Sequence, residues 1–128
     1  MELKFNIPVT PVPKASVRVG RHGSYMPLKT RRTMDQIRAF VGGKYPGEPL
    51  DGPVVLEACF YQARTNGTRK RRFPHTKPDI DNYMKLIADS LEGVLWTNDS
   101  RIVEAKLKKL FCLPGEWPRI ELIVREAS

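Results

Sequence analysis

The sequence has no long apolar run. Nothing in it approaches the ~20 apolar residues needed to span a bilayer, and its opening Met-Glu-Leu-Lys-Phe-Asn lacks the basic start and apolar stretch of a secretory leader. A soluble, cytoplasmic protein is expected. Cysteine is scarce. Cys59 and Cys112 stand outside any Cys-x-x-Cys pair and inside strand-like runs, so they read as buried reduced thiols rather than zinc ligands or a redox pair. Acid is in short supply as well: 14 Asp+Glu face 22 Lys+Arg, a formal charge of +8. Such an excess favours an anionic partner, and nucleic acid is the commonest. There is no internal repeat and no low-complexity tract. A chain of 128 residues, 41% of them hydrophobic, holds one domain (1–128) with a true core and has no room for two.

The basic residues are grouped. Arg18, Arg21, Lys29, Arg31 and Arg32 form one set, Arg64, Arg69, Lys70, Arg71, Arg72 and Lys77 a second, and Lys106, Lys108 and Lys109 a third. Several acids gather between Asp79 and Asp99. The run Arg69-Lys70-Arg71-Arg72, with Lys77, reads as a phosphate-contacting loop, because charges this dense repel one another without a counter-anion. A solvated flexible loop is the alternative.

Alternating apolar residues predict a strand over 3–9, with Pro8 marking an edge or an end. A short strand around 16–19 is possible. Met34, Ile37, Arg38 and Val41 sit at helical spacing, which predicts a helix over 31–41 stopped by Gly42-Gly43. The apolar run at 53–62 reads as a central strand, and 63–77 as a basic loop with Gly67 at its tip. Ile80, Tyr83, Met84, Ile87, Ala88 and Leu91 recur at helical spacing, with Asp81, Lys85, Asp89 and Glu92 on another face. Asp79 suits the N-cap and Gly93 the C-terminal stop. Two further strands are expected around 103–107 and 120–124, joined as a hairpin through Pro114-Gly115. Trp96 and Trp117 read as core or edge-packing aromatics. The expected fold is α+β: a small mixed sheet with two helices.

Asp79 and Asp81 stand two apart where a helix begins, and helix N-termini favour ionised carboxylates. Asp99 follows in a loop that could fold back toward them. Three clustered oxygen ligands suit Mg²⁺ or Mn²⁺. Lys85, one turn after Asp81, could pair with it or reach a phosphate. A divalent ion held there would mask the charge of a phosphodiester and activate water, and an ammonium would add transition-state stabilisation. A plainer assignment competes: Asp79 only caps, Asp81 only pairs with Lys85, and Asp99 only makes a turn. Short acidic motifs arise often by chance, but acids set in a basic chain are what a metal site facing a polyanion would look like. His75 could act as a base or a loop contact, and Phe73 could wedge into DNA or pack over the sheet edge.

The stretch His75-Thr76-Lys77-Pro78-Asp79-Ile80-Asp81-Asn82-Tyr83-Met84-Lys85, followed by Asp89-Ser90-Leu91-Glu92-Gly93-Val94-Leu95-Trp96-Thr97-Asn98-Asp99-Ser100-Arg101-Ile102, resembles the signature of the RusA family of Holliday-junction resolvases. The resemblance covers about a quarter of the chain strictly. It implies a homodimeric, Mg²⁺-dependent endodeoxyribonuclease without a small-molecule cofactor, placing two active sites across a four-way junction and leaving 5′-phosphate and 3′-hydroxyl ends. Asp79, Asp81 and Asp99 would then be the metal-binding carboxylates and Lys85 the catalytic lysine. One departure is visible: where the family often has two adjacent acids after the Trp, this chain has Asn98-Asp99, so Asp99 takes the role. Two other readings stay open: a metal nuclease for other branched or single-stranded DNA, and a basic nucleic-acid-binding protein without catalysis.

Overall fold

The computed structural model describes residues 2–14, 18–20 and 23–127, with 18–20 and 23–25 described by their backbone alone. The elements run β1 (Glu2–Ile7), β2 (Arg18–Gly20), β3 (Gly23–Tyr25), α1 (Leu28–Lys44), β4 (Val54–Gln62), α2 (Ile80–Leu91), β5 (Ile102–Phe111) and β6 (Arg119–Glu126). The main sheet has the order β1-β6-β4-β5, antiparallel except for the parallel pair β4–β5. β2 and β3 form a separate two-stranded sheet. Arg21, and residues 16 and 17 of the possible strand at 16–19, lie outside the described residues.

β4 is interior to the sheet, as its apolar run requires. The expected hairpin between the last two strands does not form. β4 lies between them, and the 112–118 connection passes the end of β4, where the Cys112 N–H donates to the Gln62 carbonyl at 2.9 Å. Burial explains the choice. Ile120, Leu122 and Val124 of β6 are buried to within 1% exposure, which suits an inner strand. β5 carries exposed Val103, Glu104, Ala105 and Lys106, which suit an edge. The Pro114-Gly115 signal does mark a turn: Gly115 sits at φ +85, and the Glu116 N–H donates to the Leu113 carbonyl at 2.9 Å, as in a type II turn.

α1 also departs from expectation. It starts three residues early and runs through Gly42-Gly43 to Lys44. Glycine costs a helix about 1 kcal/mol but keeps its N–H, and the Tyr45 N–H still donates to Val41 O at 2.8 Å. The stop comes from Pro46, which disfavours helical geometry in the residue before it.

Both helices cover one face of the sheet and share one core. Ile37 and Val41 of α1 and Tyr83, Leu86, Ile87 and Leu91 of α2 pack with Phe5, Ile7, Leu56, Ala58, Phe60, Ile120 and Leu122. Tyr83 stacks on Phe60, ring centroids 4.9 Å apart, and burial pushes its hydroxyl up to about 12. Arg38 donates to the Ser90 and Glu92 carbonyls at 3.0 and 3.1 Å, tying α1 to the last turn of α2. Gly93, at φ +82, reverses the chain there. Trp96 is fully buried and its indole N–H donates to the Ala88 carbonyl at 3.3 Å. Among the described residues no helix is long and apolar enough to cross a membrane.

Trp96→Ala removes the largest fully buried side chain. It should cost about 3–5 kcal/mol, seen as a lower urea midpoint with an unchanged slope. A loss under about 1 kcal/mol would mean that Trp96 does not hold the α2–β5 connection in place.

Candidate active site

Asp79 occupies the N-cap position of α2, yet its side chain makes no capping hydrogen bond. Its backbone serves instead: the Asn82 N–H donates to the Asp79 carbonyl at 3.1 Å. The carboxylate is therefore not spent on the helix. Asp81 follows in the first turn, and both acids are exposed. The segment leading into the helix is held from below by Lys109 of β5, whose ammonium donates to the Thr76 and Pro78 carbonyls at 2.8 and 2.7 Å. The result is an open cleft of about 1100 Å³ with Asp79 and Asp81 on one side, Leu107, Lys108, Lys109 and Leu110 on another, and Phe73 to Lys77 on a third. Two carboxylates at a helix N-terminus thus share a largely apolar cleft with Lys77, Lys108 and Lys109.

The polar face of α2 is divided. Asp89 pairs with Lys14 at 2.7 Å, and the Lys14 N–H donates to the Asn82 carbonyl at 3.0 Å. Among the described residues, Asp79, Asp81, Asp99 and the exposed Lys85 form no ion pair.

Asp99 lies at the other end. α2 has 12 residues, or about 18 Å. β5, which Asp99 precedes, lines the cleft only from Leu107 onward. Asp99 thus stands on the order of 20 Å from Asp81, and its loop does not fold back to the helix start. Among the described residues no three His, Cys, Asp or Glu side chains are grouped as a metal cage requires. The loop is held away by Asp51, which accepts from Thr97 Oγ1 at 2.7 Å and from Arg101 Nε and Nη2 at 3.2 Å. Backbone bonds from Leu50 N to Leu95 O and from Thr97 N to Leu50 O add to it. The Thr97 hydrogen bond, then Arg101, hold the Asp51 carboxyl below its usual 3.8. Asn98 accepts from the Ser100 N–H at 2.9 Å, capping the 3-10 turn Asp99–Arg101. In this chain the residue replacing a family acid is a local cap, and the Asp99 side chain is left exposed.

The basic loop is folded on itself. Arg64 donates to the Thr68 and Arg71 carbonyls at 2.7 and 2.6 Å and lies 4.2 Å over the Phe111 ring. Thr65 and Thr68 close a capping box on the turn Asn66–Thr68. Arg69, Lys70, Arg72 and Lys77 point to solvent, while Arg71 is half-buried, 3.4 Å from Thr76 Oγ1. Phe73 is 49% exposed at the cleft, with the Arg72 guanidinium 5.3 Å over its ring. The exposed His75 has Nδ1 3.1 Å from the Phe73 carbonyl. Trp96 is core, but Trp117 is 82% exposed and packs on nothing that would bury it.

The sequence gives no site role to Lys109 or Asp51. Lys109 was one of three basic residues in a strand, and only the parallel β4–β5 pairing aims it under the 76–78 segment. Asp51 stood before Gly52-Pro53 as an ordinary turn acid.

Residues 8–125 match the protein family described as Endodeoxyribonuclease RusA. The chain is 28% identical over 141 residues to a Bacillus subtilis (strain 168) protein described as uncharacterized protein YqaN, covering 98% of this chain and 97% of the relative.

Lys109→Met removes two charge-assisted hydrogen bonds, one exposed and one part-buried. It should destabilise the chain by about 1–3 kcal/mol and speed amide hydrogen exchange over 76–82 more than elsewhere; uniform exchange would rule out a local brace. For Asp51 the folded-state value lies below the unfolded one, so its anchoring contributes above about pH 3.8 and is lost as pH falls through the lower folded value. Amide exchange over 97–101 should loosen in acid, and Asp51→Ala should show that looseness already at neutral pH. An unaltered loop in the variant would dismiss the anchor.

Proposed function

The chain belongs to the RusA endodeoxyribonuclease family, and from that premise we propose that it resolves four-way DNA junctions by symmetric, metal-dependent phosphodiester hydrolysis. The observation that carries this reading is the pair of unspent carboxylates, Asp79 and Asp81, at the edge of a cleft whose other charged residues are Lys77, Lys108 and Lys109. A protein that only bound DNA would gain nothing from acids there, since they repel phosphate.

Asp79 and Asp81 offer hard oxygen donors of the kind that Mg²⁺ or Mn²⁺ takes, and Asp99 would be the third carboxylate. When bound, such an ion masks the charge of the phosphodiester and lowers the pKa of water. Lys85, one turn beyond Asp81, would stabilise charge on the phosphoryl oxygens. Arg69, Lys70, Arg71, Arg72 and Lys77 would bind the DNA backbone, making affinity strongly dependent on salt. The work would be done in the cytoplasm, where bacterial or phage DNA lies.

The distance between Asp81 and Asp99 favours a homodimer. β5 is an edge strand with Val103 62% exposed, and exposed edges readily accept another strand. Antiparallel pairing of two β5 edges about a two-fold axis would bring the Asp99 end of one copy toward the Leu107–Leu110 end of the other. Two such shared sites match the two equivalent strands of a four-way junction.

Asp81→Asn should lose cutting by orders of magnitude in Mg²⁺ while still shifting a junction in a gel, and EDTA should silence the natural chain in the same way. Normal cutting by Asp81→Asn would sink the metal site. Co-expressed Asp81→Asn and Asp99→Asn chains test the sharing. A site shared between copies leaves one of the two intact in the mixed dimer and restores nicking of one strand. A site within one chain leaves both defective. A panel of junction, flap, single strand and duplex then separates a junction resolvase from a nuclease for other substrates.

A further inference from the structure

Trp117 and Leu113 are 82% and 68% exposed, the most exposed large hydrophobic residues described. They flank the tight turn between β5 and β6, and that turn is braced. The Glu116 carboxylate accepts from the Leu113 N–H at 2.7 Å and from the Arg119 guanidinium at 3.3 Å, while Arg119 also donates to the Trp117 carbonyl at 3.3 Å. Arg119 is itself stacked 3.7 Å from the Tyr61 ring. The backbone that carries the two apolar side chains is therefore fixed before any partner arrives.

The surroundings point to the partner. The turn adjoins the start of the basic loop, sharing a recess with Ala63 and Arg64. Glu116, the acid within the turn, is spent on Leu113 and Arg119. Leu113 lies three residues beyond Leu110 at the cleft wall, on the order of 10 Å along the chain, or about three nucleotides along a strand. One indole and one leucyl side chain are far smaller than the ~800 Å² per partner of a stable protein interface, but an indole matches the face of a single base.

We propose that Trp117, with Leu113 beside it, stacks on a base freed at the branch point, so that this turn contributes to telling a branched DNA from a linear one. This rests on the junction-cutting reading above. Interior bases of a linear duplex are stacked on both faces and offer Trp117 nothing, whereas a branch point supplies a free face in addition to the arm ends that both DNAs carry. Base–aromatic stacking tolerates any sequence, as recognition of a branch requires.

The chain contains two tryptophans, and Trp96 is fully buried, so Trp117 alone reports on contact. The full chain in EDTA is titrated with a four-way junction and with a duplex of the same arm sequence while tryptophan emission and gel shift are read. The junction should quench emission and the duplex should not. Trp117→Ala should lose the quenching and bind the junction about tenfold more weakly with duplex affinity unchanged, and Trp117→Phe should keep most of the affinity. Junction binding by Trp117→Ala equal to that of the natural chain, or equal quenching by duplex, would overturn the proposal while leaving the nuclease reading intact. So would a shift in oligomeric state of Trp117→Ala by light scattering, which assigns the turn to a contact between copies. Failure of the natural chain to bind or cut a junction would remove both.

Discussion

Burial of the apolar stripe of α2 decides where the chemistry-bearing residues stand. Leu86, Ile87 and Leu91 are fully buried and Tyr83 is 1% exposed. Each such side chain is worth about 1.5–3 kcal/mol, whereas a surface ion pair is worth about 0–1. No arrangement of charges can turn the helix against that packing. With the stripe on Phe60 and its neighbours, Asp81, Lys85 and Asp89 must face outward, and Asp79 must sit where the helix begins above the end of β5. The acidic spot is a consequence of the hydrophobic face behind it.

Four acids brace the loops and ends of the chain. Asp51, Asp89, Glu116 and Glu121 are engaged by Arg101, Lys14 or Arg119. Their partners fix loops and ends: Asp51 the 97–101 segment, Glu116 the β5–β6 turn, Asp89 the chain before β2. Asp79, Asp81 and Asp99 are left out of this bracing. Other acids also stand without a cation among the described residues, but Asp79 and Asp81 are the ones at the cleft, and with Asp99 they are the acids that the family resemblance assigns to metal.

The basic loop follows a similar logic with the opposite sign. Arg64 is fastened by backbone carbonyls and an aromatic face rather than by carboxylates. The loop is thereby ordered without neutralising any of its charge, and Arg69, Lys70 and Arg72 stay exposed to solvent. Lys109 does the same for the segment beneath Asp79, using an ammonium against two carbonyl dipoles.

Helix α2 could be read from the sequence, down to the Asp79 cap position and the Gly93 reversal, because helical periodicity and terminal signals are local to the covalent chain. The interior place of β4 was legible from its high apolar content, although its outer face is not fully covered and Glu57 on it is exposed. The partners of β5 and β6 were not. A turn signal such as Pro114-Gly115 says that the chain bends, but competition among strands for the edges of β4 decides which two then pair. Gly42-Gly43 predicted a stop that α1 ignores, because a weak propensity yields to continued hydrogen bonding and core contact. Asp79 and Asp99 are twenty residues apart in sequence, and their spacing alone was compatible with a loop folding back. Only the antiparallel run of α2 along β5, with Asp51 holding the far loop, carries Asp99 to the opposite end of the helix, because the length of a helix is rigid and the direction of a loop is set by what anchors it.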